Sequence, residues 1–314
     1  MDQKLRSATN ALINGSLVSF PTETVYGLGA DATNEIAVSR IFRIKQRPTN
    51  HPLIVHVSTI RKSFNWVASM PKYALELANN FWPGPLTLIL QRSNLAKNFI
   101  TGGQDYVGIR IPNHPIALSL LKEFERRGGF GVAAPSANKF GAVSTTSVSA
   151  VLDEIGEDLS FNDVVLDGGD CIIGIESTIV DCSGPSPRIV RPGAITHDMI
   201  NSVLKNNVHV QTIEFENSLR SPGSTKFHYM PLAQVVINQV PTPGSGLLAL
   251  DSVDTPNGVT RLASPSDSSE FAKVLYASYR LADKLGLKKI FVFPPIGSGI
   301  EMAINDRVEK SSLK

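Results

Sequence analysis

Apolar positions in the first 200 residues alternate between helical spacing and strand spacing. Leu5, Ala8 and Leu12 lie on one face of a predicted helix. A second predicted helix opens at Pro115 and ends at Gly128-Gly129. Short apolar runs bounded by turn residues predict strands over Leu17–Phe20, Leu53–Val57, Leu86–Leu90, Val107–Ile111, Phe130–Ala134, Asp163–Leu166, Thr178–Asp181 and Arg188–Arg191. Strands and helices mixed in this way predict a layered α/β domain.

The last two predicted strands, Thr178–Asp181 and Arg188–Arg191, lie close together along the chain and are expected to form a hairpin. A hairpin is antiparallel, whereas strands joined through helices are parallel. We therefore predict a twisted, mixed sheet flanked by helices.

The pattern changes after residue 200. Residues 201–232 have weak periodicity and include the turn-rich run 220–224, which is typical of a linker. Residues 233–314 predict a smaller, Rossmann-like α/β domain with a loop at 251–269. Its predicted elements are strands at Ala233–Val240, Gly246–Leu250 and Ile290–Phe293, a helix opened by an Asp267/Glu270 capping box, and a last helix containing 303–308. The chain is thus predicted to divide into 1–200, 201–232 and 233–314.

Composition narrows the class of protein. The 314 residues are 42% hydrophobic and 18% charged, which excludes disorder as the main state. No apolar run approaches the roughly 18 residues of a membrane span, and the first residues lack an apolar signal core. Two cysteines, Cys171 and Cys182, are too few for a disulfide scaffold, so we expect a reduced, cytoplasmic protein. A net charge of +2 excludes binding to nucleic acid through bulk charge alone.

Polar and cationic residues gather at strand ends and in Gly/Pro-rich turns. They do so in the segments 20–29, 45–56, 135–146, and 174–181 with 188–193. Ligands of open α/β sheets bind at such places. Each segment taken alone also fits a structural role: a turn capping a helix for 20–29, a solvated basic turn for 45–56, and an N-cap loop for 135–146.

Arg110 stands in an otherwise apolar strand, where a buried guanidinium needs an anionic partner. That partner is either a ligand carboxylate or phosphate, bound bidentately, or a structural salt bridge. Walker, dinucleotide-binding, Ser/His/Asp and zinc motifs are absent from the sequence. A site of cations and small polar groups without an evident nucleophile favours reactions driven by positioning and charge stabilisation, such as attack on a phosphate.

Together these segments resemble the YrdC-like domain of threonylcarbamoyl-AMP synthases. The matching stretches are PTETVYGLG at 21–29, KQRPTNHPLIVHV at 45–57, FWPGPLTLIL at 81–90, VGIRIP at 107–112, APSAN at 134–138, ESTIVD at 176–181 and RIVRPG at 188–193. SPGSTKFHYMP at 221–231 and GSGIEMAINDRVEK at 297–310 are similar to the linker and the final helix of the long form of this enzyme. Each stretch alone is weak, but the ordered set is specific.

The resemblance implies a reaction. L-Threonine, bicarbonate and ATP, with magnesium on the phosphates, give L-threonylcarbamoyl-adenylate and pyrophosphate. A downstream transferase system then moves the threonylcarbamoyl group to an adenosine of tRNA. No membrane partner is expected, and the sequence leaves direct binding of tRNA open.

The resemblance also implies site residues. Lys45 and Arg47 are the expected catalytic cations. The residues expected to bind or line the pocket for L-threonine are Thr22, Thr24, Tyr26, His56, Arg110 and Ser177. Those expected to bind ATP are Lys45, Arg47, His51, Ser136, Asn138, Ser144, Arg191 and Tyr229. His228 and Tyr229 are expected to close over the site as a lid, and no metal ligand in the protein is expected.

Two other interpretations fit parts of the sequence. One is a non-catalytic module that grips double-stranded RNA or tRNA through Lys45, Arg47 and Arg191, with strongly salt-dependent binding. The near-zero net charge and the apolar setting of Arg110 count against it. The other is a carbamoyl-transfer module serving another enzyme; that form needs additional domains, and this chain has none with cysteine-rich zinc spacing.

Overall fold

The computed structural model describes residues 3–205, 211–212, 220 and 228–313. Most of the predicted linker, 201–232, therefore lies outside the described residues. The strands are β1 Val18–Phe20, β2 Gly27–Asp31, β3 Ile54–His56, β4 Leu86–Gln91, β5 Tyr106–Arg110, β6 Val132–Ala133, β7 Val164–Val165, β8 Thr178–Asp181, β9 Arg188–Arg191, β10 Gln211–Thr212, β11 Gln234–Ile237, β12 Gly246–Leu248, β13 Thr260–Ala263 and β14 Lys289–Val292. The α-helices are α1 Gln3–Ile13, α2 Glu35–Lys45, α3 Ile60–Ser63, α4 Lys72–Phe81, α5 Asn98–Thr101, α6 Pro115–Arg126, α7 Val148–Ile155, α8 His197–Leu204, α9 Ser268–Lys284 and α10 Ile300–Ser312.

A large mixed sheet organises the first domain, which comprises the elements from α1 to β10. Across the described residues its ten strands follow the order β10-β9-β8-β4-β5-β3-β6-β2-β1-β7. Strand β4 pairs parallel with β8 and antiparallel with β5, and β8 and β9 form the predicted antiparallel hairpin. The mixed α/β sheet predicted from the sequence is therefore confirmed.

Strand β2 is not among the predicted strands, because its sequence GLGAD has few β-forming residues and fits a turn capping a helix. The glycines of β2 leave room for side chains of the neighbouring strands. A Cβ on Gly29 would lie 2.7 Å from Cγ1 of Val132 and 2.8 Å from Cε1 of Phe20. Only a residue without a side chain lets the strands on both sides pack their large groups over β2.

A small parallel sheet organises the second domain, which comprises the elements from β11 to α10. Its strand order is β11-β14-β12-β13, and every pairing is parallel. The Asp267 side chain accepts the backbone N–H of Glu270 at 2.9 Å, so the predicted helix start is confirmed. The predicted loop at 251–269 is wrong in part, because β13 lies within it. Strand β13 lacks an apolar run, because it begins with the polar Thr260 and Arg261 and buries only Leu262.

The two domains share a hydrophobic core. Val25, Val143 and Ile175 of the first domain pack in one cluster with residues of α9 and α10. The guanidinium of Arg280, on α9, donates to the carbonyl of Val143 and pairs with Glu154 at 3.0 Å. The second domain is thus docked on the segments that follow β1, β6 and β7.

Gly174 provides a test of this docking. It has a positive φ of 82°, and a Cβ there would lie 2.4 Å from Cα of Lys273 on α9. Gly169 has a similar φ of 74°, but a Cβ there would meet nothing within 4 Å. Alanine at either position adds left-handed strain of about 1–2 kcal/mol. Gly174→Ala should lower the free energy of unfolding in urea by about 2 kcal/mol more than Gly169→Ala, because it also clashes with helix backbone. Equal losses would contradict this close approach.

Candidate functional site

A cleft of about 560 Å³, called the pocket below, lies between the large sheet and the loops beside the second domain. It gathers residues from every segment that the sequence singled out. Its lining is Thr22, Val25, Tyr26, Gly27, Arg47, Ile54, His56, Arg110, Ala134, Pro135, Ser136, Glu176, Ser177, Arg191, His228 and Tyr229. Residues as far apart in the chain as Thr22 and Tyr229 therefore meet at one place.

Arg110 stands at the end of β5 and is held by the loop after β1. One of its terminal nitrogens lies 2.7 Å from Glu23 Oε1 and donates to Thr24 Oγ1 at 2.9 Å. The hydroxyls of Thr24 and Thr22 lie 2.8 Å apart, and Thr22 donates to the Val25 carbonyl. The structural salt bridge left open by the sequence is therefore present, and Arg110 also lines the pocket. These bonds fix the guanidinium in a buried position where it can meet an anion.

His56 lies beside Arg110 in the neighbouring strand, because the two are register partners in the β3–β5 pair. Burial, reinforced by the positive charge of Arg110, lowers the pKa of His56 to about 3. The imidazole is therefore neutral at pH 7. Tyr26, on the same wall, donates its hydroxyl to the Gly169 carbonyl at 2.8 Å, and burial raises its pKa to about 12.

Arg191 and Arg47 supply the other two cations of the pocket wall. Arg191, on β9, donates to the backbone carbonyl of Ser177 at 3.0 Å and to its hydroxyl at 3.1 Å. That hydroxyl lies 2.8 Å from Thr87 Oγ1. Arg47 donates to the Pro52 carbonyl at 3.0 Å. Burial and the nearby charge of Arg191 lower the pKa of Arg47 to about 10, so Arg47 remains charged at pH 7.

Lys45 lies behind the pocket wall and does not line it. Its ammonium donates to the backbone carbonyls of Ser136, at 2.6 Å, and Asn138. Burial, together with the charge of Arg47, lowers its pKa well below the usual value. In this arrangement Lys45 holds the loop that presents Ser136 to the pocket. Its predicted contact with ATP stays a prediction.

Four other predicted site residues also lie outside the lining. Thr24 supports Arg110, as described above. Ser144 donates to the Glu176 carboxylate at 2.6 Å, and the Asn138 amide donates to the carbonyls of Lys139 and Ala142. His51 packs edge-to-face on Phe140 with ring centroids 5.2 Å apart. The remaining predicted residues, Thr22, Tyr26, Arg47, His56, Arg110, Ser136, Ser177, Arg191 and Tyr229, line the pocket together.

Glu23 and Glu176 are the functional residues that sequence reasoning missed. Both are buried carboxylates, and a search for anion-binding groups does not select acidic residues. Their position in the sequence could have indicated them, because each directly precedes a predicted site residue: Glu23 precedes Thr24, and Glu176 precedes Ser177. The Arg307 and Arg191 charges hold the pKa of Glu176 at about 2, although burial alone would raise it.

Tyr229 closes the pocket on the side of the second domain. It is fully buried and has a positive φ of 63°, a strained conformation for an aromatic residue. Its ring stacks on Tyr276 with centroids 5.6 Å apart, and the Arg307 guanidinium lies 5.5 Å from its centroid. His228 packs against Tyr229 and also lines the pocket. The closure of these two residues as a lid stays a prediction.

The pocket has the electrostatics of an anion-binding site. The lining contains three guanidinium groups, those of Arg47, Arg110 and Arg191, and one carboxylate, that of Glu176, so positive charge is in excess. Buried polar atoms of the lining without a hydrogen-bond partner among the described residues are Arg47 Nε, His56 Nδ1, Arg110 Nε, His228 Nδ1 and Tyr229 OH. Such atoms are expected to bind polar groups of a ligand. The described residues contain no cluster of three or more His, Cys, Asp or Glu side chains that could hold a metal ion.

Comparisons with known proteins point to one family. A family model described as telomere recombination, Sua5/YciO/YrdC, matches residues 10–193, and one described as threonylcarbamoyl-AMP synthase, C-terminal domain, matches 195–312. The chain is 34% identical to the threonylcarbamoyl-AMP synthase of Pyrococcus abyssi, covering 98% of this chain and 94% of that protein. It is 38% identical to the Bacillus subtilis protein of the same name, covering 75% of this chain and 67% of that protein.

A solved structure gives the same result. The crystal structure described as P. abyssi Sua5 complexed with L-threonine superposes with a TM-score of 0.87 at 33% identity. The match covers 98% of this chain and 94% of that chain, so both domains are included. None of the described helices of this chain is both long and apolar enough to cross a membrane.

The buried histidines predict a pH dependence of stability. Burial lowers the pKa of His228, like that of His56, to about 3. Histidine in the unfolded chain has a pKa near 6.5, so between pH 6.5 and 3 the unfolded state binds protons that the folded state does not. Stability should therefore fall as the pH drops, by about 2 kcal/mol per histidine between pH 7 and 5.

The His56→Gln variant isolates one of these contributions. Its free energy of unfolding, measured in urea at both pH values, should change by about 2 kcal/mol less than that of the wild type. Between pH 7.5 and 8.5, His56 is neutral in both the folded and the unfolded wild type. The pH dependence of the free energy of unfolding should therefore be the same in the variant and the wild type over this range. An unchanged dependence from pH 7 to 5 would contradict a buried neutral His56.

Proposed function

The chain belongs to the threonylcarbamoyl-AMP synthase family, and we propose that its pocket carries out the reaction of that family. The chain is an enzyme that makes L-threonylcarbamoyl-adenylate from L-threonine, bicarbonate and ATP and releases pyrophosphate, for modification of tRNA. The observation that carries the assignment to this pocket is the convergence of Arg47, Arg110 and Arg191 on one buried cleft. A non-catalytic RNA-binding module would instead expose its cations on the surface, where phosphates of a duplex can reach them.

L-Threonine is proposed to bind beside Arg110. The buried guanidinium, fixed by Glu23 and Thr24, keeps its Nε without a partner among the described residues and can bind the carboxylate of the amino acid. The small polar groups of Thr22 and Ser177 lie on the same wall, as does neutral His56. The similar P. abyssi structure that contains L-threonine supports an amino-acid subsite in this fold.

ATP is proposed to bind on the side of Arg47 and Arg191, with Ser136 and Tyr229 next to it. Ile54, on the wall of the pocket, also lines a narrow neighbouring cleft that extends to Tyr106 and Gln104. The predicted contributions of His51, Asn138, Ser144 and Lys45 would then be made through the loops that they support.

The chemistry consists of two bond-forming steps. The amine of threonine and bicarbonate give a carbamate with loss of water, and a carbamate oxygen then attacks the α-phosphorus of ATP. The bond from that phosphorus to the bridging oxygen breaks, and pyrophosphate leaves. Two anions must approach each other, and one pair of unit charges 4 Å apart costs about 4 kcal/mol near a protein surface. The guanidinium groups offset this repulsion, and the lid residues His228 and Tyr229 exclude water from the labile adenylate.

Magnesium is proposed to arrive with ATP and not to be bound first by the protein. Both carboxylates of the pocket are occupied, Glu23 by Arg110 and Glu176 by Arg307, so the donor set does not fit a protein-held magnesium site. When bound to the phosphates, the ion neutralises part of their charge. Transfer of the product to tRNA by partner proteins and a cytoplasmic location follow from the family and stay predictions.

The Arg110→Met variant tests the threonine subsite. It should bind L-threonine at least about tenfold more weakly in calorimetry, because a charged hydrogen bond is lost, while binding of ATP survives. A matched control is Arg40→Met, which removes a guanidinium paired with Asp163 outside the pocket lining. Unchanged threonine affinity in Arg110→Met would refute this role.

The reaction itself is tested with the full chain. Purified protein, ATP, bicarbonate and labelled threonine should yield the adenylate and pyrophosphate in equal amounts. Omitting any one substrate should abolish both products, because the carbamate cannot form or has nothing to attack. Binding of duplex RNA without pyrophosphate release would instead support the non-catalytic alternative.

A further inference from the structure

Two hydroxyl groups meet beside the threonine side of the pocket. Ser177 Oγ and Thr87 Oγ1 lie 2.8 Å apart, and both residues are fully buried. Ser177 belongs to the described lining of the pocket, whereas Thr87, on β4, does not. Thr87 is the register partner of Arg110 in the β4–β5 pair, so it lies next to the residue that is proposed to bind the threonine carboxylate. The direction of the hydrogen bond between the two hydroxyls decides which of them can donate to a ligand.

Ser177 Oγ accepts one hydrogen bond from a cation of the wall. Arg191 Nη2 donates to it at 3.1 Å, and a guanidinium can only donate. A serine hydroxyl has two acceptor positions and one proton, so one acceptor position and the proton are left. Thr87 therefore either donates to Ser177 or accepts from it.

Burial distinguishes these two directions. If Ser177 donated, the proton of Thr87 would need another acceptor, and Thr87 Oγ1 has no other hydrogen-bond partner among the residues that the structure describes. The methyl group of Thr87, and not its hydroxyl, faces the narrow cleft at Gly108, because a Cβ on Gly108 would lie 3.4 Å from Thr87 Cγ2. A buried hydroxyl proton without an acceptor costs free energy, so this direction is unfavourable.

The opposite direction satisfies both protons once a ligand is present. Thr87 then donates to Ser177, and the two acceptor positions of Ser177 are filled by Thr87 and Arg191. The proton of Ser177 is left for a third group, and no described residue accepts it. Because Ser177 lines the pocket, an oxygen of the ligand can accept this proton. Linked hydrogen bonds polarise one another, so donation by Thr87 also makes Ser177 a stronger donor.

We propose that Thr87 is a positioning residue that makes Ser177 a hydrogen-bond donor to the carboxylate of L-threonine. A carboxylate only accepts, so it matches a serine whose acceptor positions are filled and whose proton is free. This inference rests on the proposed function, because it needs threonine on the wall that Ser177 shares with Arg110. The carboxylate is then bound by the charge of Arg110 and by one neutral hydrogen bond whose direction Thr87 sets.

The Thr87→Val variant of the full-length protein tests this role. It preserves the branched shape of the side chain and removes the hydroxyl, so the affinity for L-threonine in calorimetry should fall about fivefold, the factor of a typical neutral hydrogen bond. Thr87→Ser keeps a hydroxyl and should retain most of the affinity. In a Ser177→Ala background, Thr87→Val should cause no further loss, because the hydroxyl on which Thr87 acts is gone. Affinity for a non-hydrolysable ATP analogue should stay within about twofold of the wild type in Thr87→Val.

The first domain offers a matched control. Thr9 is fully buried in α1, and its hydroxyl donates to the Leu5 carbonyl at 2.9 Å. It does not belong to the described lining of the pocket. Thr9→Val removes a buried threonine hydroxyl in the same way and should leave the affinity for L-threonine unchanged.

The outcomes separate the possible roles. An unchanged threonine affinity in Thr87→Val overturns the proposal, and so does an equal loss in the Ser177→Ala background, because Thr87 would then act without Ser177. Parallel losses of affinity for threonine and the ATP analogue, in step with the melting temperature, also overturn it, because they indicate a merely structural effect. If Thr87→Val fails to fold, Thr87→Ala in the same two backgrounds decides. A wild type that binds no threonine and releases no pyrophosphate contradicts the proposed function and this inference together, whereas the other outcomes leave the proposed function in place.

Discussion

Burial of guanidinium groups around one cleft is the constraint on which the structure depends. A buried charge without a partner costs several kcal/mol, so each arginine of the pocket must be compensated in the folded protein. Arg110 is compensated by Glu23, and Arg47 and Arg191 donate to backbone carbonyls at Pro52 and Ser177. Carbonyl oxygens satisfy hydrogen bonds without cancelling the charge. The site can therefore be stable before an anion enters and still attract one.

Much of the fold could be predicted from the sequence, because the first domain is built from short apolar strands bounded by Gly and Pro. Strands β8 and β9 have the predicted bounds, and the other predicted strands of the large sheet differ from the observed ones only at their ends. Two pocket cations, Arg110 and Arg191, could be located because they stand at strand ends, and Arg47 because it lies in a Pro-rich segment before a strand. Strand β2 could not, since its glycines are selected by contacts with Phe20 and Val132 from other strands.

The internal partners of the site could not be predicted, because they are separated by long stretches of chain. Glu176 meets Ser144, Tyr276 and Arg307, which are 32, 100 and 131 residues away. Local spacing contains no information about such contacts. Lys45 illustrates the same limit: its place beside Arg47 in the sequence suggests a phosphate ligand, whereas its ammonium supports the loop at Ser136.

The ion pairs of Glu23 and Glu176 differ in the domains that they join. The Glu23–Arg110 pair joins elements of the first domain only, so the threonine side can form as soon as the large sheet forms. The Glu176–Arg307 pair joins the two domains, and it can form only after the second domain has docked. Tyr229 reinforces this division, because its ring is held between the pocket and Tyr276. The second domain contributes no residue after Tyr229 to the described lining of the pocket, yet its Tyr276 and Arg307 fix the orientation of the Glu176 carboxylate there.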